Sequence, residues 1–342
     1  MFNVCYIYQK GMLDLGGCMY HVIVNPASRT GNGKNLWKQM EPIFKEYNAE
    51  YKVLFSNKPG HIIELVKNAY DETININKDD IIKIIAFGGD GTMNEVLQGI
   101  PDFSKVQIGY IPTGSSNDFA RDMQYPKNPA DCLRNVLNCS MAETMDIGCV
   151  EFNEISNELS RQHTSEVLTK RYFNVSCGIG YDAAVCEEAL NSPLKKFLNK
   201  FGLGKLVYLL IAVKQIIANK DYETTMILDD TITLKLPLFL CIAAMNHQYE
   251  GGGFKFCPDA NYKDGKIDIC AISNITKIKI LISLPRALKG THFKINGIER
   301  YLASKIEIIT SKPLWVHTDG EVTSKSSHIT ITCLPNVLQI LK

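Results

Sequence analysis

Ile81–Phe87 is a nearly continuous apolar run that leads straight into Gly88-Gly89-Asp90-Gly91. A half-exposed strand alternates apolar and polar side chains, whereas a strand buried on both faces does not. Strands of the second kind belong to parallel sheets covered by helices. The residues after the glycines, from about Thr92 to Ile100, have helical spacing, so the stretch reads as strand, glycine turn and helix. The unit recurs. Tyr20–Val24 is a short β-branched run closed by Asn25-Pro26, followed by a Gly-rich loop over Arg29–Lys34 and a helix over Leu36–Tyr47. Glu50–Phe55 precedes a helix over His61–Tyr70, and Val106–Ile111 precedes one opening near Ser116. This repetition predicts an α/β domain over residues 19–146, built on a doubly wound, mostly parallel sheet.

The pattern changes near Asp146. Tyr172–Cys177, Thr224–Leu228, Thr231–Leu234, Leu238–Met245, Ile267–Ile272, Lys305–Thr310, Trp315–Thr318 and Ser327–Cys333 all read as strands. Turn signals such as Asp229-Asp230, Gly251-Gly252-Gly253, Asp264-Gly265 and Asp319-Gly320 separate several of them. A β-rich, antiparallel, sandwich-like domain over 147–329 is therefore expected, with 330–342 free to pack back on the first domain. One helix, from about Lys195 to Ala218, interrupts it, and the polar, aperiodic Glu151–Lys170 reads as a mobile hairpin or loop. A length of 342 residues agrees with about two domains. Residues 1–18 are expected to be a disordered extension, with Met19 as an alternative start.

Composition excludes several classes. Lys+Arg 37 against Asp+Glu 36 leaves a net charge of +1, without the basic excess of a nucleic-acid binder. The longest apolar stretches, Leu206–Val213 and Leu236–Met245, are too short for a membrane span of roughly 20 residues. The 11 cysteines form no CxxC pair, which suits buried thiols in a reducing, cytoplasmic compartment. Met1–Gly17 has no cleavage pattern of a signal peptide. The 7 histidines show no HExxH-like spacing, so core or surface roles are expected rather than zinc.

Chemistry concentrates at the glycine turns. In Gly88–Glu95 the absence of Cβ lets backbone N–H groups approach an anion, and the following helix N-terminus adds its dipole. Asp90 is out of place in such a cradle unless a cation accompanies the anion, as in a metal–nucleotide; the plainer reading is a tight turn with an exposed acid. Gly114-Ser115-Ser116-Asn117-Asp118 is a second turn of this kind, or merely a helix cap. Turns after adjacent parallel strands converge at the carboxyl edge of one sheet, where α/β proteins bind ligands. Asn25-Pro26-Ala27-Ser28 would reach the same edge, with Arg29 and Lys34 either meeting phosphate or solvated. No GxxxxGK[ST] is present, so this is not a P-loop NTPase by motif. Gly178-Ile179-Gly180-Tyr181-Asp182-Ala183 imitates a dinucleotide fingerprint but lacks the acid about 20 residues on, and reads as a structural turn.

Asn25–Ser28, Gly88–Glu95 and Gly114–Asp118, in this order, resemble the diacylglycerol kinase catalytic domain, whose superfamily includes soluble bacterial lipid kinases and the sphingosine and ceramide kinases. Asp146-Ile147-Gly148, Asn174–Asp182, Gly252–Asp268 and Asp319-Gly320-Glu321 extend the resemblance over nearly the whole chain from Tyr20. GGDGT alone is shared with NAD kinases and phosphofructokinases; the combination with GSSND and DGE is specific. The resemblance implies an ATP-dependent lipid kinase with a nucleotide cleft between its two domains. Carried over by position, Asn25, Ser56, Gly89, Asp90, Gly91, Thr92, Met93, Asn94, Glu95 and Ser115 would line the ATP site. Asp90, Asp118 and Asp146 would form the acidic network linked to Mg²⁺, and Glu321 would accept the proton, with Asp319 beside it. A structural Mg²⁺ would use the Asp264 carboxylate and the carbonyls of Asn261 and Lys266, where family members vary, with Asp268 as a further ligand. Arg29 stands where many relatives carry glycine. Without the resemblance, Glu321 reads as an exposed hairpin glutamate.

A kinase of bilayer lipids must reach its substrate at a surface. Lys195, Lys196, Lys200 and Lys205, interleaved with Phe197, Leu198, Phe201 and Leu203, form one basic and apolar patch. Lys277, Lys279, Arg286 and Lys289 around Ile280–Leu284 form a second; either also reads as an amphipathic helix on the protein's own core. The expectation is a cytoplasmic enzyme in transient contact with the inner face of the membrane, converting diacylglycerol to phosphatidic acid with ATP and Mg²⁺. A homodimer is compatible with the resemblance, and no nucleic-acid partner is expected. Phosphatidylglycerol or a sphingoid base is the alternative acceptor, followed by NAD kinase activity or a non-catalytic nucleotide-binding regulator.

Overall fold

The computed structural model describes residues 19–159, 169–191, 204–218 and 222–342. The chain divides into two units, one holding the described residues through Met145 together with Asn336–Lys342, the other Asp146–Pro335.

In the first unit β1 (Tyr20–Val24) leads through α1 (Ser28–Gly31) and α2 (Gly33–Glu46) to β2 (Tyr51–Phe55) and α3 (His61–Ile76). β3 (Ile82–Gly88), α4 (Asp90–Gly99), β4 (Val106–Pro112), α5 (Asp118–Asp122) and α6 (Pro129–Asn138) follow. The strands pair in parallel in the order β2–β1–β3–β4. Gln339–Leu341 extends this sheet, lying parallel to Gln107–Gly109 of β4, so the chain end does return to the first unit. β3 is buried along almost its whole length, as its unbroken apolar sequence requires. Trp37, Phe44, Tyr51 and Phe87 form an aromatic cluster in the core between α2 and the sheet. The expected loop over Arg29–Lys34 is instead α1 and the first turn of α2. Gly33 is there for contact, since a Cβ would stand 2.2 Å from the Asn25 carbonyl oxygen. α6 has no sequence expectation behind it, although Asn128 caps it by accepting from Ala130 N–H at 3.1 Å and Pro129 opens it.

The second unit is antiparallel. β5 (Glu143–Leu159) starts at the end of the first unit and pairs with β6 (Lys170–Phe173), so much of the stretch expected to be a loop is strand. β7 (Ser176–Gly180) leads into α7 (Tyr181–Asn191), and a helix spans Gly204–Ala218. β8 (Thr224–Leu228), β9 (Ile232–Leu236), β10 (Phe239–Met245), β11 (Tyr249–Glu250), β12 (Phe254–Lys255) and β13 (Ile267–Ser273) come next. Helix Lys277–Leu288, β14 (Ile298–Ala303), β15 (Lys305–Thr318) and β16 (Glu321–Leu341) complete the fold. The sheet runs β14–β13–β10–β7–β15–β16. β15 is one strand where the sequence suggests two, because Pro313 falls where its register with β16 shifts. The core of this unit gathers Phe173, Phe239 and Met226 with Ile267 and Ile269 of β13, Ile306 and Ile308 of β15, and Ile329 and Ile331 of β16. Nine described cysteines are free thiols, seven of them buried. No helix among the described residues is long and apolar enough to cross a membrane.

Candidate active site

The carboxyl ends of the four parallel strands of the first unit meet at one edge. Thr113 N–H donates to the Gly88 carbonyl at 2.7 Å, Asn25 N–H to Phe87 at 3.0 Å, and Ser56 N–H to Val24 at 3.0 Å. Gly89 and Gly114 touch backbone to backbone. A Cβ on Gly114 would stand 2.6 Å from the Gly89 Cα, so neither turn tolerates a side chain toward the other. Asn25 braces this edge, its amide donating to Thr92 Oγ1 at 3.1 Å and its carbonyl oxygen accepting from Ala27 N–H at 3.0 Å. Asn117, at φ 48°, closes the second turn by bonding both the N–H and the carbonyl of Gly114. Ser115 lies exposed at its tip.

The sequence candidates at this edge do different things. Asp90 and Gly91 open α4, where the helix dipole favours an acid. Met93 and Asn94 have fully buried side chains, so they face a ligand only through backbone. Glu95 accepts from Ile62 N–H at 3.2 Å and so caps α3, whose own cap, Gly60, has no side chain to offer. Asp118 is buried and paired with Arg121 at 2.7 Å. Burial, then Asp90, Tyr125 and Asp118, push the Tyr110 phenol far above its usual range, which brings both acids to one buried ring. Lys34 lies 5.7 Å over the Phe55 ring, and Arg29 is exposed with φ 53°.

In the second unit Glu321 follows the hairpin turn between β15 and β16, half-buried and paired in register with Thr318. Asp319 sets that turn. Its carboxylate accepts the backbone N–H groups of Val175 at 2.9 Å, Ser176 at 3.0 Å and Asn174 at 3.2 Å. Arg171, buried, donates to Thr318 Oγ1 at 2.9 Å. Asp319 thus braces the turn that carries Glu321. Asp146 is fully buried, and its carboxylate accepts from Gly265 N–H at 2.7 Å. Asp264 accepts from Lys266 N–H at 3.0 Å and Asn261 from Lys263 N–H at 3.2 Å, so the loop folds around its own oxygens. Asp268 accepts from Arg300 Nε at 2.8 Å, while burial raises its carboxyl above the usual value.

One constellation has no counterpart in the sequence reading. Asp182, Glu250 and His317 lie within 4.8 Å of one another through their polar atoms. His317 Nε2 is 3.1 Å from Glu250 and 3.3 Å from Asp182, while its Nδ1 accepts from Gly320 N–H at 3.2 Å. That contact assigns the proton of a neutral ring to Nε2. Burial alone would lower the His317 pKa; Glu250 and Asp182 overcome it and raise it to about 9. The neutral ring thus aims its Nε2 hydrogen at the two carboxylates, whereas protonation adds a hydrogen at Nδ1 and gives up the bond from Gly320 N–H. Gly178 makes room for the cluster, because a Cβ would stand 2.0 Å from Asp182 Oδ2 and 2.3 Å from His317 Nε2. The Gly178–Ala183 segment is thus a turn with a purpose. The signal available was a histidine, His317, placed among the apolar residues of a strand.

A glycine-edged parallel α/β unit followed by an antiparallel unit with an acid beyond a fixed hairpin turn defines a class with precedent. Residues 19–150 match the diacylglycerol kinase catalytic domain, and residues 175–342 match the YegS C-terminal NAD kinase beta sandwich-like domain. The first unit thus carries a diacylglycerol kinase catalytic domain. It is 27% identical over 302 residues to YtlR of Bacillus subtilis (strain 168), a protein whose name proposes a lipid kinase, covering 88% of this chain and 92% of that one. A diacylglycerol kinase of Mycobacterium tuberculosis (strain H37Rv) is 22% identical over 259 residues, 76% of each chain. A crystal structure of a diacylglycerol kinase from Bacillus anthracis str. Sterne superimposes with a TM-score of 0.61 over 95% of this chain and 96% of that one, at 16% identity, which shows the shared fold.

Proposed function

We propose that this chain transfers the γ-phosphate of ATP to a lipid hydroxyl, with diacylglycerol as acceptor and phosphatidic acid as product. The observation that supports this most is the Asp319-Gly320-Glu321 turn, braced through three backbone N–H groups so that one carboxylate has a defined position. Phosphoryl transfer needs mainly positioning and charge neutralisation. Backbone N–H groups of the Gly89 and Gly114 turns would hold the phosphates. Glu321 would take the proton of the lipid hydroxyl as its oxygen bonds to the γ-phosphorus and ADP departs. Mg²⁺ brought with ATP would be held by Asp90, Asp118 and Asp146, and would neutralise phosphate charge. The Asn261–Lys266 loop offers hard oxygens, the donor set that suits a structural Mg²⁺. The reaction would take place at the cytoplasmic face of a membrane.

The test is transfer of labelled γ-phosphate to diacylglycerol, phosphatidylglycerol, sphingosine or ceramide in mixed micelles with Mg²⁺. NAD belongs in the panel because of the description its second domain matches. Labelled phosphatidic acid is the expected product; labelled NADP would overturn the lipid reading. Glu321→Gln should cut the transfer rate by about 10²–10⁴-fold with nucleotide affinity kept. A wild-type rate in that variant would remove Glu321 from the proton-accepting role.

A further inference from the structure

Helix Lys277–Leu288 meets the protein through Ile280, Ser283 and Ala287, which are buried. At 100° per residue these three lie on one side of the helix. The opposite side of a surface helix is ordinarily polar. Here it carries Ile278, Leu281, Ile282 and Leu288, exposed to 71%, 40%, 50% and 51%, with exposed Pro285 among them. Cations flank this stripe: Lys277 on one side, Lys279 and Arg286 on the other. From Asn274 to Ile298 the sequence has five lysine or arginine residues and no acid. Beside the stripe, Lys279, Arg286 and Lys294 line a groove of about 330 Å³ together with Ile282, Ile295 and Asn296.

We infer that this helix is a membrane-docking surface that lies in the interface of an anionic phospholipid bilayer. The apolar stripe enters the acyl boundary, and the groove of Lys279, Arg286 and Lys294 receives a lipid phosphate. An outward apolar stripe with cations on both sides matches the layering of such an interface, apolar below and anionic above. A protein partner with an apolar groove would match the stripe but would need acids at both flanks and at the groove as well. The inference rests on the lipid-kinase reading for its choice of ligand, because an enzyme acting on a bilayer lipid must hold itself at that surface.

The experiment is sedimentation of the full chain with sucrose-loaded vesicles of phosphatidylcholine, with and without phosphatidylserine. Two variants accompany it, Ile278→Ser/Ile282→Ser and Lys279→Gln/Arg286→Gln/Lys294→Gln. All five positions are exposed, so melting temperatures should match wild type. Wild type should partition at least tenfold better to the anionic vesicles. The cation variant should lose that preference, about fivefold per charge and about a hundredfold in all. The isoleucine variant should lose at least tenfold on anionic vesicles. Binding of either variant within twofold of wild type would overturn the assignment, as would indifference to phosphatidylserine or no wild-type binding at all. A wild-type dimer that the isoleucine variant dissolves, without vesicle binding, would give the face to a second copy and overturn it too. Phosphorylation separates this from the activity itself. Both variants should keep the wild-type rate on short-chain diacylglycerol dissolved as monomer and lose rate on long-chain diacylglycerol in vesicles. If wild type binds as stated but phosphorylates no lipid, the activity reading falls and the docking surface stands. If wild type phosphorylates lipids and both variants bind normally, the docking surface falls alone.

Discussion

His21 and His317 are both buried in strands, one in each unit, and the protein drives them to opposite charge states. Burial lowers the pKa of each. At His21, in β1, the neighbouring Lys52 adds to burial and Glu72 opposes only weakly, so the pKa falls to about 4. At His317 the carboxylates of Glu250 and Asp182 outweigh burial and the pKa rises to about 9. The sign of the neighbours decides, not the depth of burial. The contrast extends to how each unit builds its part of the candidate site. The first uses glycine and backbone, with Gly89 against Gly114 and the strand ends tied by main-chain bonds. The second uses buried charge, with Asp319 on three N–H groups and His317 between two acids.

If that contrast is right, the largest loss should come from removing a hydrogen-bonded charge in the second unit. Asp319→Ala leaves three backbone donors without their acceptor and should cost about 3–4 kcal/mol in urea unfolding. Because the same turn carries Glu321, phosphoryl transfer should fall as well, in a fold that Asp319→Asn partly retains. A cost below about 1 kcal/mol would mean that the turn holds itself. Next come the glycines. Gly114→Ala sets a methyl against main chain, which cannot rotate away, and should cost about 2–3 kcal/mol with loss of nucleotide affinity. Gly178→Ala meets side-chain ends instead and should leave nucleotide affinity within about twofold, since it disturbs only the Asp182–His317 pair. Equal effects on nucleotide binding, read by calorimetry, would erase the distinction between the units.

The same contrast explains what could be read in advance. A turn made of glycine and backbone announces itself locally, because the glycines needed for close approach stand next to one another; Gly88–Gly91 and Gly114 were legible for that reason. Buried charge is assembled at long range. Asp182 and His317 are 135 positions apart and meet only because the antiparallel register sets His317 opposite Gly178. No spacing in the chain encodes that meeting, and Gly178, read from the sequence as part of a structural turn, also gives clearance to a carboxylate. Irregularities misled in the same way. Gly31 and Gly33 suggested a loose loop where one ends a helical turn and the other packs on a carbonyl. Lys305–Thr310 and Trp315–Thr318 read as two strands where the ladder only shifts register. The Lys195–Leu203 part of the first basic patch lies outside the described residues, while the second patch emerged as the outward face of helix Lys277–Leu288.

The most direct comparison is between the two histidines themselves. His21 has a folded pKa below the unfolded value of about 6.5, so between pH 6.5 and 4 the unfolded state binds more protons. Its contribution is complete above pH 6.5 and is lost as pH falls toward 4. His317 has a folded pKa above that value, so the folded state binds more protons between pH 6.5 and 9. Its contribution is complete below pH 6.5 and is lost as pH rises through 9. Each amounts to about 3.5 kcal/mol over its window, from the 1.4 kcal/mol per pKa unit that linkage assigns. Urea midpoints measured from pH 4 to pH 9.5 should therefore fall off on both sides. His21→Gln should flatten the acid limb alone, and His317→Gln the alkaline limb alone. If His317→Gln left the alkaline limb unchanged, Nε2 would not carry its charge between Asp182 and Glu250. The second unit would then hold its two acids by some means other than a buried cation.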